Sequence, residues 1–442
     1  MIDHLRELTA ERLQPPDAHR HFGLKRLRPR SGSSDSARIP AAALVAAVGT
    51  AGFLLRLLAW PPAQSPDAWA YLSWGGALLH ADQPPIDATG TAPKPLGTLL
   101  GALVWPLPPE RAFGILIAIS LGVLFGALFA ATERRAGAGA GLVAVAVLLP
   151  LSRAADVLPF AYIDVLIAAL VAFAFAVRGT WRIAALVVAG LARPEAWLVA
   201  GVAGFAESRG RLPRRLAAAA AASIAAPLVW IAFDLAVSGD PLLSIHRVRE
   251  LHEIRGLEPA SWWSAGADAL HSLPGGPAVA LALFAGGLVG LALHGRGRWQ
   301  ARDVLLPLAT VVIWAAALAL ETRRGLGINH RYLLPVLVPL ALGVGLLAAR
   351  FLPARLAHSK ASGAVAAGAV AACAATLGLS PAPTRPTGLS RAVPETTLPA
   401  VERISPCGSV VFAVAGRLSP ASGVSSRRPR ARLVTSCLSI RR

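Results

Sequence analysis

Apolar runs separated by short polar intervals recur along the chain from residue 39 to residue 378. They fall at 39–60, 111–131, 139–151, 162–177, 183–192, 195–207, 215–237, 277–294, 303–320, 332–350 and 361–378. In lipid a backbone must satisfy its own hydrogen bonds, and about 20 apolar residues of helix cross the hydrocarbon. The pattern predicts an all-α, polytopic transmembrane helical bundle of about eleven spans, occupying 39–378. A basic N-terminal tail, 1–38, and a C-terminal tail, 379–442, flank it.

Residues 183–207 read either as one span or as a hairpin turning at Arg193-Pro194-Glu195. One span would leave Arg193 and Glu195 at mid-bilayer and reverse every later loop. The hairpin, with Pro194 opening its second arm, is the expectation taken here. Short arms are tolerated where protein or a wet cavity covers them. Residues 95–107 are apolar but short and run into Pro108-Pro109, so they predict a helix lying in the outer interface.

Composition agrees with a membrane chain: 55% of residues are hydrophobic and 15% charged, with mean hydropathy +0.57. A net charge of +19 in a soluble protein would suggest nucleic acid. Here the arginines cluster between apolar runs, the pattern of cytoplasmic loops, so nucleic acid is not an expected partner. Threading from a cytoplasmic N-terminus places the arginines of 134–135, 178–182, 209–215, 296–302 and 350–355 inside and the C-terminus outside. The expected location is the cell membrane, multi-pass. No cleavable signal peptide is visible, because 1–38 is polar and too long for an n-region. Its eight Lys or Arg suit a tail resting on anionic lipid, with a short helix over 2–13.

The interval from Ser65 to Leu96 changes the picture. It holds Asp67, Asp82 and Asp87 and closes on Lys94, although only Lys25, Lys94 and Lys360 of the 43 basic residues are not Arg. Asp67 has two readings: a first-turn acid in a Ser-Pro-Asp helix start, or a carboxylate on an interfacial helix with Tyr71 one turn later on the same face. Asp164, at the mouth of an apolar span, is either a capping acid or a group facing a cavity or partner; Asp156 is its substitute. Lys94, Arg193, His330 and Arg331 fall on the same outer side. Together they suit a phosphate, and singly each suits a solvated flank or a lipid headgroup. Glu195 and Arg193 also suit a local salt bridge.

A carboxylate can take the proton of an acceptor hydroxyl, and cations can hold the charge of a leaving lipid phosphate. No Walker motif, dinucleotide glycine pattern or His/Cys metal cluster is present, which argues against nucleotide-driven chemistry. Cys407 and Cys437 lie in the outer tail, where a disulfide closing a loop of about 30 residues is permitted. Cys373, inside the last span, reads as a small apolar filler.

Six local motifs in order carry a resemblance: Pro66-Asp67-Ala68-Trp69-Ala70-Tyr71, Pro93-Lys94-Pro95-Leu96, Tyr162-Ile163-Asp164-Val165, Ala192-Arg193-Pro194-Glu195-Ala196, Gly239-Asp240-Pro241-Leu242 and His330-Arg331-Tyr332-Leu333-Leu334-Pro335. With the layout of 39–350, they resemble the GT-C superfamily of integral-membrane glycosyltransferases, in its protein O-mannosyltransferase and aminoarabinose transferase branch. Actinobacterial members look most similar. The resemblance implies transfer of a mannose- or pentose-type sugar from a polyprenyl-phosphate donor to an envelope glycan, lipid or protein. It implies Asp67 as general base, Lys94 as a phosphate contact and Arg331 near the donor phosphate. Asp164 would be a second carboxylate near the base or a bound divalent ion, with no other cofactor implied. The chain departs from the pattern twice: Pro93 stands where some relatives carry an acid, which tells against a metal, and Ala68 follows Asp67 where some carry a second acid.

Two other classes compete. A transporter or flippase for a lipid-linked glycan would need charges along a path across the bilayer, whereas the apolar runs, away from their ends, are nearly free of charge apart from Arg56, Asp164 and Asp234. A non-catalytic envelope-assembly protein would suit the tail with its two cysteines.

Overall fold

A computed structural model describes residues 40–59, 65–82, 92–152, 160–255, 275–295, 302–323, 330–353 and 361–376, and a few single positions between them. The basic tail, Asp87, Asp156, Cys407 and Cys437 lie outside the described residues. Among those described, all regular structure is helical. In chain order the helices are α1 (Ala41–Ala59), α2 (Pro66–Leu79), α3 (Pro95–Val104), α4 (Pro109–Ala136) and α5 (Ala138–Leu151). Then come α6 (Asp164–Ala176), α7 (Thr180–Gly190), α8 (Glu195–Glu207), α9 (Leu212–Ser238) and α10 (Leu243–Arg255). The last are α11 (Gly276–Gly295), α12 (Arg302–Arg323), α13 (His330–Ala348) and α14 (Ala361–Thr376).

Each expected apolar run contains a helix, and among the described residues six helices are long and apolar enough to cross a membrane: α1, α4, α9, α11, α12 and α13. Two polar boundaries differ from expectation. Glu133, Arg134 and Arg135 are the last turn of α4 rather than a loop, and Glu321 belongs to the last turn of α12. In both places the apolar face continues into packing, so the helix extends past the point where polar residues begin.

α4 and α13 run through the middle of the bundle and are mostly buried, whereas α9 is mostly exposed. Leu228, Ile231 and Leu235 on α9 point outward, as apolar side chains do when lipid rather than water surrounds a helix. Small residues allow close helix contact. A Cβ on Gly343 of α13 would lie 2.1 Å from the Gly287 carbonyl oxygen of α11. One on Gly101 of α3 would lie 1.9 Å from the Tyr71 carbonyl oxygen of α2.

α7 and α8 form the antiparallel hairpin expected for 183–207. Across its closed end the Trp197 indole donates to the Gly190 carbonyl at 2.7 Å. At its open end Arg182 pairs with Glu207. The turn between them therefore lies at the end of the bundle where α6 begins, and the arginines of the open end lie where α6 finishes.

Candidate active site

Six separate segments bring charged side chains together at the end where α6 and α13 begin. α2 starts with Ser65, whose Oγ accepts from the Ala68 N–H at 3.2 Å. Pro66 at the first position presets the helical φ. The Ser65 N–H donates to the Phe160 carbonyl at 2.9 Å, tying this start to the chain just before α6. With Ser65 capping the helix, the Asp67 carboxylate turns to Arg331, whose Nη1 donates to its Oδ2 at 3.3 Å.

Asp164 opens α6 and is buried. Its Oδ1 accepts from Arg193 Nε at 3.0 Å and Nη2 at 2.7 Å. Its Oδ2 lies 3.7 Å from Arg331 Nε. One carboxylate thus orients two guanidinium groups from distant elements, a charge-assisted arrangement that single-point contacts cannot match. Arg193 sits in the α7–α8 turn, its Nη1 3.7 Å from Glu195 and 3.8 Å from Glu321.

Aromatic rings complete the cradle. The Arg193 guanidinium lies 4.2 Å over the Tyr332 ring, and that of Arg331 lies 4.2 Å over the Tyr162 ring. Arg331 Nη2 donates to the Tyr332 hydroxyl at 2.9 Å. Rings on both sides hold planar guanidinium groups in fixed orientation.

Lys94 precedes α3, and burial followed by the neighbouring Arg193 pulls its ammonium below the ordinary lysine value; Asp164 and Asp67 act against that. The ammonium makes no hydrogen bond or ion pair among the described residues. Tyr71, one turn past Asp67, is buried against Trp74 and Phe113. Burial, and then Asp67, push its phenol well above the ordinary value. Its hydroxyl and both Glu195 oxygens have no hydrogen-bond partner among the described residues.

Asp67, Tyr71, Lys94, Asp164, Arg193, Glu195 and Arg331 are therefore neighbours. His330 opens α13, but its side chain lies outside the described residues. Asp82 sits past the far end of α2, away from the group. Glu321 and the ring of Tyr332 belong to the site without having been singled out in the sequence. The signal for Glu321 was available, since an acid in the last turn of an apolar helix needs a partner or a wet cavity.

The four carboxylates divide by exposure. Side-chain exposures of 5% for Asp164 and 4% for Glu195 close them off, against 29% for Asp67 and 30% for Glu321. The arrangement can receive a group at Asp67 while a rigid cationic wall of Arg193 and Arg331 stands behind it. It does not fit a divalent ion: Arg331 stands between Asp67 and Asp164, and no three His, Cys, Asp or Glu side chains converge among the described residues. Compared with known proteins, the chain matches no family model and no curated sequence.

Proposed function

We propose that the chain is a membrane glycosyltransferase of GT-C type, with eleven crossings and its charged cluster on the outer face. It moves a sugar from a polyprenyl-phosphate donor to an acceptor hydroxyl of the cell envelope. One observation carries the reading: Asp67, Lys94, Asp164, Arg193 and Arg331, from five segments, converge at the end of the bundle remote from the arginine-rich turns. The positive-inside rule puts those turns in the cytoplasm and the cluster outside.

In the proposed reaction the Asp67 carboxylate accepts the proton of the acceptor hydroxyl as its oxygen attacks the anomeric carbon. The bond from that carbon to the phosphate oxygen breaks, and the electron pair leaves with the lipid phosphate. Lys94 and Arg331 balance the charge that develops there. Asp164 serves by fixing Arg193 and Arg331, since both of its oxygens already face guanidinium groups. Tyr71 lines the acceptor side next to Asp67. No step requires a metal.

The test is transfer of labelled sugar from polyprenyl-phosphate donors, comparing wild type with Asp67→Asn in matched membranes. Loss of about a hundredfold or more in the variant alone supports the assignment. Activity that survives moves the base to Glu321, the other partly open carboxylate. Absence of transfer by folded wild-type protein with every donor sinks the reading and favours a lipid-linked glycan transporter.

A further inference from the structure

Another buried carboxylate, outside the cluster, has a defined geometry. α9 stops at Gly239, whose φ of +78° is one that side-chain-bearing residues seldom adopt. The Asp240 Oδ1 then accepts from the Leu242 N–H at 2.9 Å, a turn that starts α10 at once. This corner brings Ser244 back against Asp234 near the end of α9. The Ser244 N–H donates to Asp234 Oδ2 at 2.9 Å, and its hydroxyl reaches Asp234 Oδ1 at 2.7 Å. The same hydroxyl lies 3.0 Å from the carbonyl oxygen of Pro93. Asp234 and Ser244 are 3% and 2% exposed, so water does not mediate these contacts.

Pro93 is the residue before Lys94. On the other side of the lysine, the Leu96 N–H donates to the Leu191 carbonyl at 3.1 Å, in the turn that carries Arg193. The strap from 93 to 96 is thus pinned at both ends. These two contacts fix the point from which the Lys94 side chain leaves the backbone.

We infer that Asp234 and Ser244 are positioning residues for Lys94, holding the strap that aims its ammonium at the donor phosphate. The inference rests on the reading of Lys94 as a phosphate contact. A serine hydroxyl has one proton for two acceptors, Asp234 Oδ1 and the Pro93 oxygen. An amide at position 234 donates to Ser244 Oγ, frees the serine proton for Pro93 and still accepts from the Ser244 N–H. Asp234→Asn therefore keeps the chain of contacts, whereas Asp234→Ala and Ser244→Ala break it.

The experiment exploits the rarity of lysine. Only Lys25, Lys94 and Lys360 are present, so amine acylation with peptide mapping reads Lys94 alone, with the other two as internal controls. The pH of half-reaction is measured for each variant. Arg193, Asp164, Asp67, Arg331 and Glu321 face the lysine and are unchanged throughout. Ser244→Ala and Asp234→Ala should move the Lys94 midpoint up by about half a unit, threefold in neutral fraction, as the strap loosens into water. Asp234→Asn should keep the wild-type midpoint. In transfer assays the two alanine variants should raise donor KM about fivefold with kcat within about twofold. Neither should add to the loss in a Lys94→Ala background. An unmoved midpoint in both alanine variants overturns the inference, as does Asp234→Asn behaving like Asp234→Ala. If no donor supports transfer, the transferase reading fails, while the midpoints still decide whether the corner controls Lys94.

Discussion

The two ends of α6 use the same residue type to different ends. At its C-terminus, Arg135 Nη1 donates to the Ala131 and Phe175 carbonyls at 2.6 and 3.1 Å. Arg182 Nε donates to the Ala174 and Val177 carbonyls at 2.9 and 3.0 Å. Glu207 pairs with Arg182 and also accepts from the Gly179 N–H at 3.0 Å. Of these carbonyls, those of Ala174, Phe175 and Val177 lie at the terminus of α6, where the helix itself supplies no partner. At the N-terminus, Arg193 and Arg331 meet carboxylates and aromatic faces, and beside them the Tyr71 hydroxyl and the Glu195 oxygens lack hydrogen-bond partners among the described residues. At the C-terminal end the arginines serve backbone carbonyls, although Arg135 Nε lacks a hydrogen-bond partner among the described residues; at the N-terminal end they serve carboxylates and rings, and several unsatisfied oxygens gather beside them.

The comparison is broken most severely at Asp164. Asp164→Ala strips a buried guanidinium of its bidentate partner and should cost about 3–5 kcal/mol of stability. Asp67→Asn, at the partly open carboxylate, should leave stability within about 0.5 kcal/mol. Thermal inactivation in detergent measures both, and equal losses would erase the distinction between orienting acid and base. Next is Arg182→Ala at the opposite end, expected to cost about 1.5–3 kcal/mol through its charged hydrogen bonds. Donor KM should stay unchanged in the folded fraction; a raised KM would make the opposite end part of the site.

A smaller effect concerns pH. The Lys94 ammonium is charged below its pKa, and that pKa lies below the ordinary 10.5. Donor binding that depends on it is therefore complete at lower pH and declines as pH rises through the lowered value. Lys94→Arg should flatten that alkaline limb in a profile of kcat/KM against pH, because guanidinium stays charged. An unchanged limb would assign it to another group. The smallest effect is Arg178→Ala. Its pairing with Asp303 at 3.3 Å leaves Arg178 70% exposed, so stability should change by at most about 0.5 kcal/mol. A larger loss in the same inactivation assay would mean that this surface pair supports the helix end as Arg182 does.

Much of this was legible before any coordinates. Apolar run length located the helices, and the cost of a charge at mid-bilayer turned 183–207 into a hairpin through Arg193 and Glu195. The same cost drew attention to Asp164, and the scarcity of lysine to Lys94. Partnerships were not legible. That Asp164 serves Arg193 rather than capping α6 depends on how α6 and α7 lie together, and local sequence does not encode it. Glu321 fell just beyond the apolar run that ends at 320, yet α12 continues through it. Asp234 registered only as a charge in a span; its partner Ser244 is found once the corner at Gly239 is built.

The length of α6 has an electrical consequence. Its 13 residues are about 20 Å of helix, about two-thirds of a typical hydrocarbon thickness of about 30 Å. On the proposed arrangement of eleven crossings, α6 is one of them, and with charged and polar groups at both of its ends the insulating layer there would be thinner than the lipid beside it. In an energised membrane the same voltage then falls over a shorter distance, so the field through α6 is about one and a half times that in the surrounding bilayer.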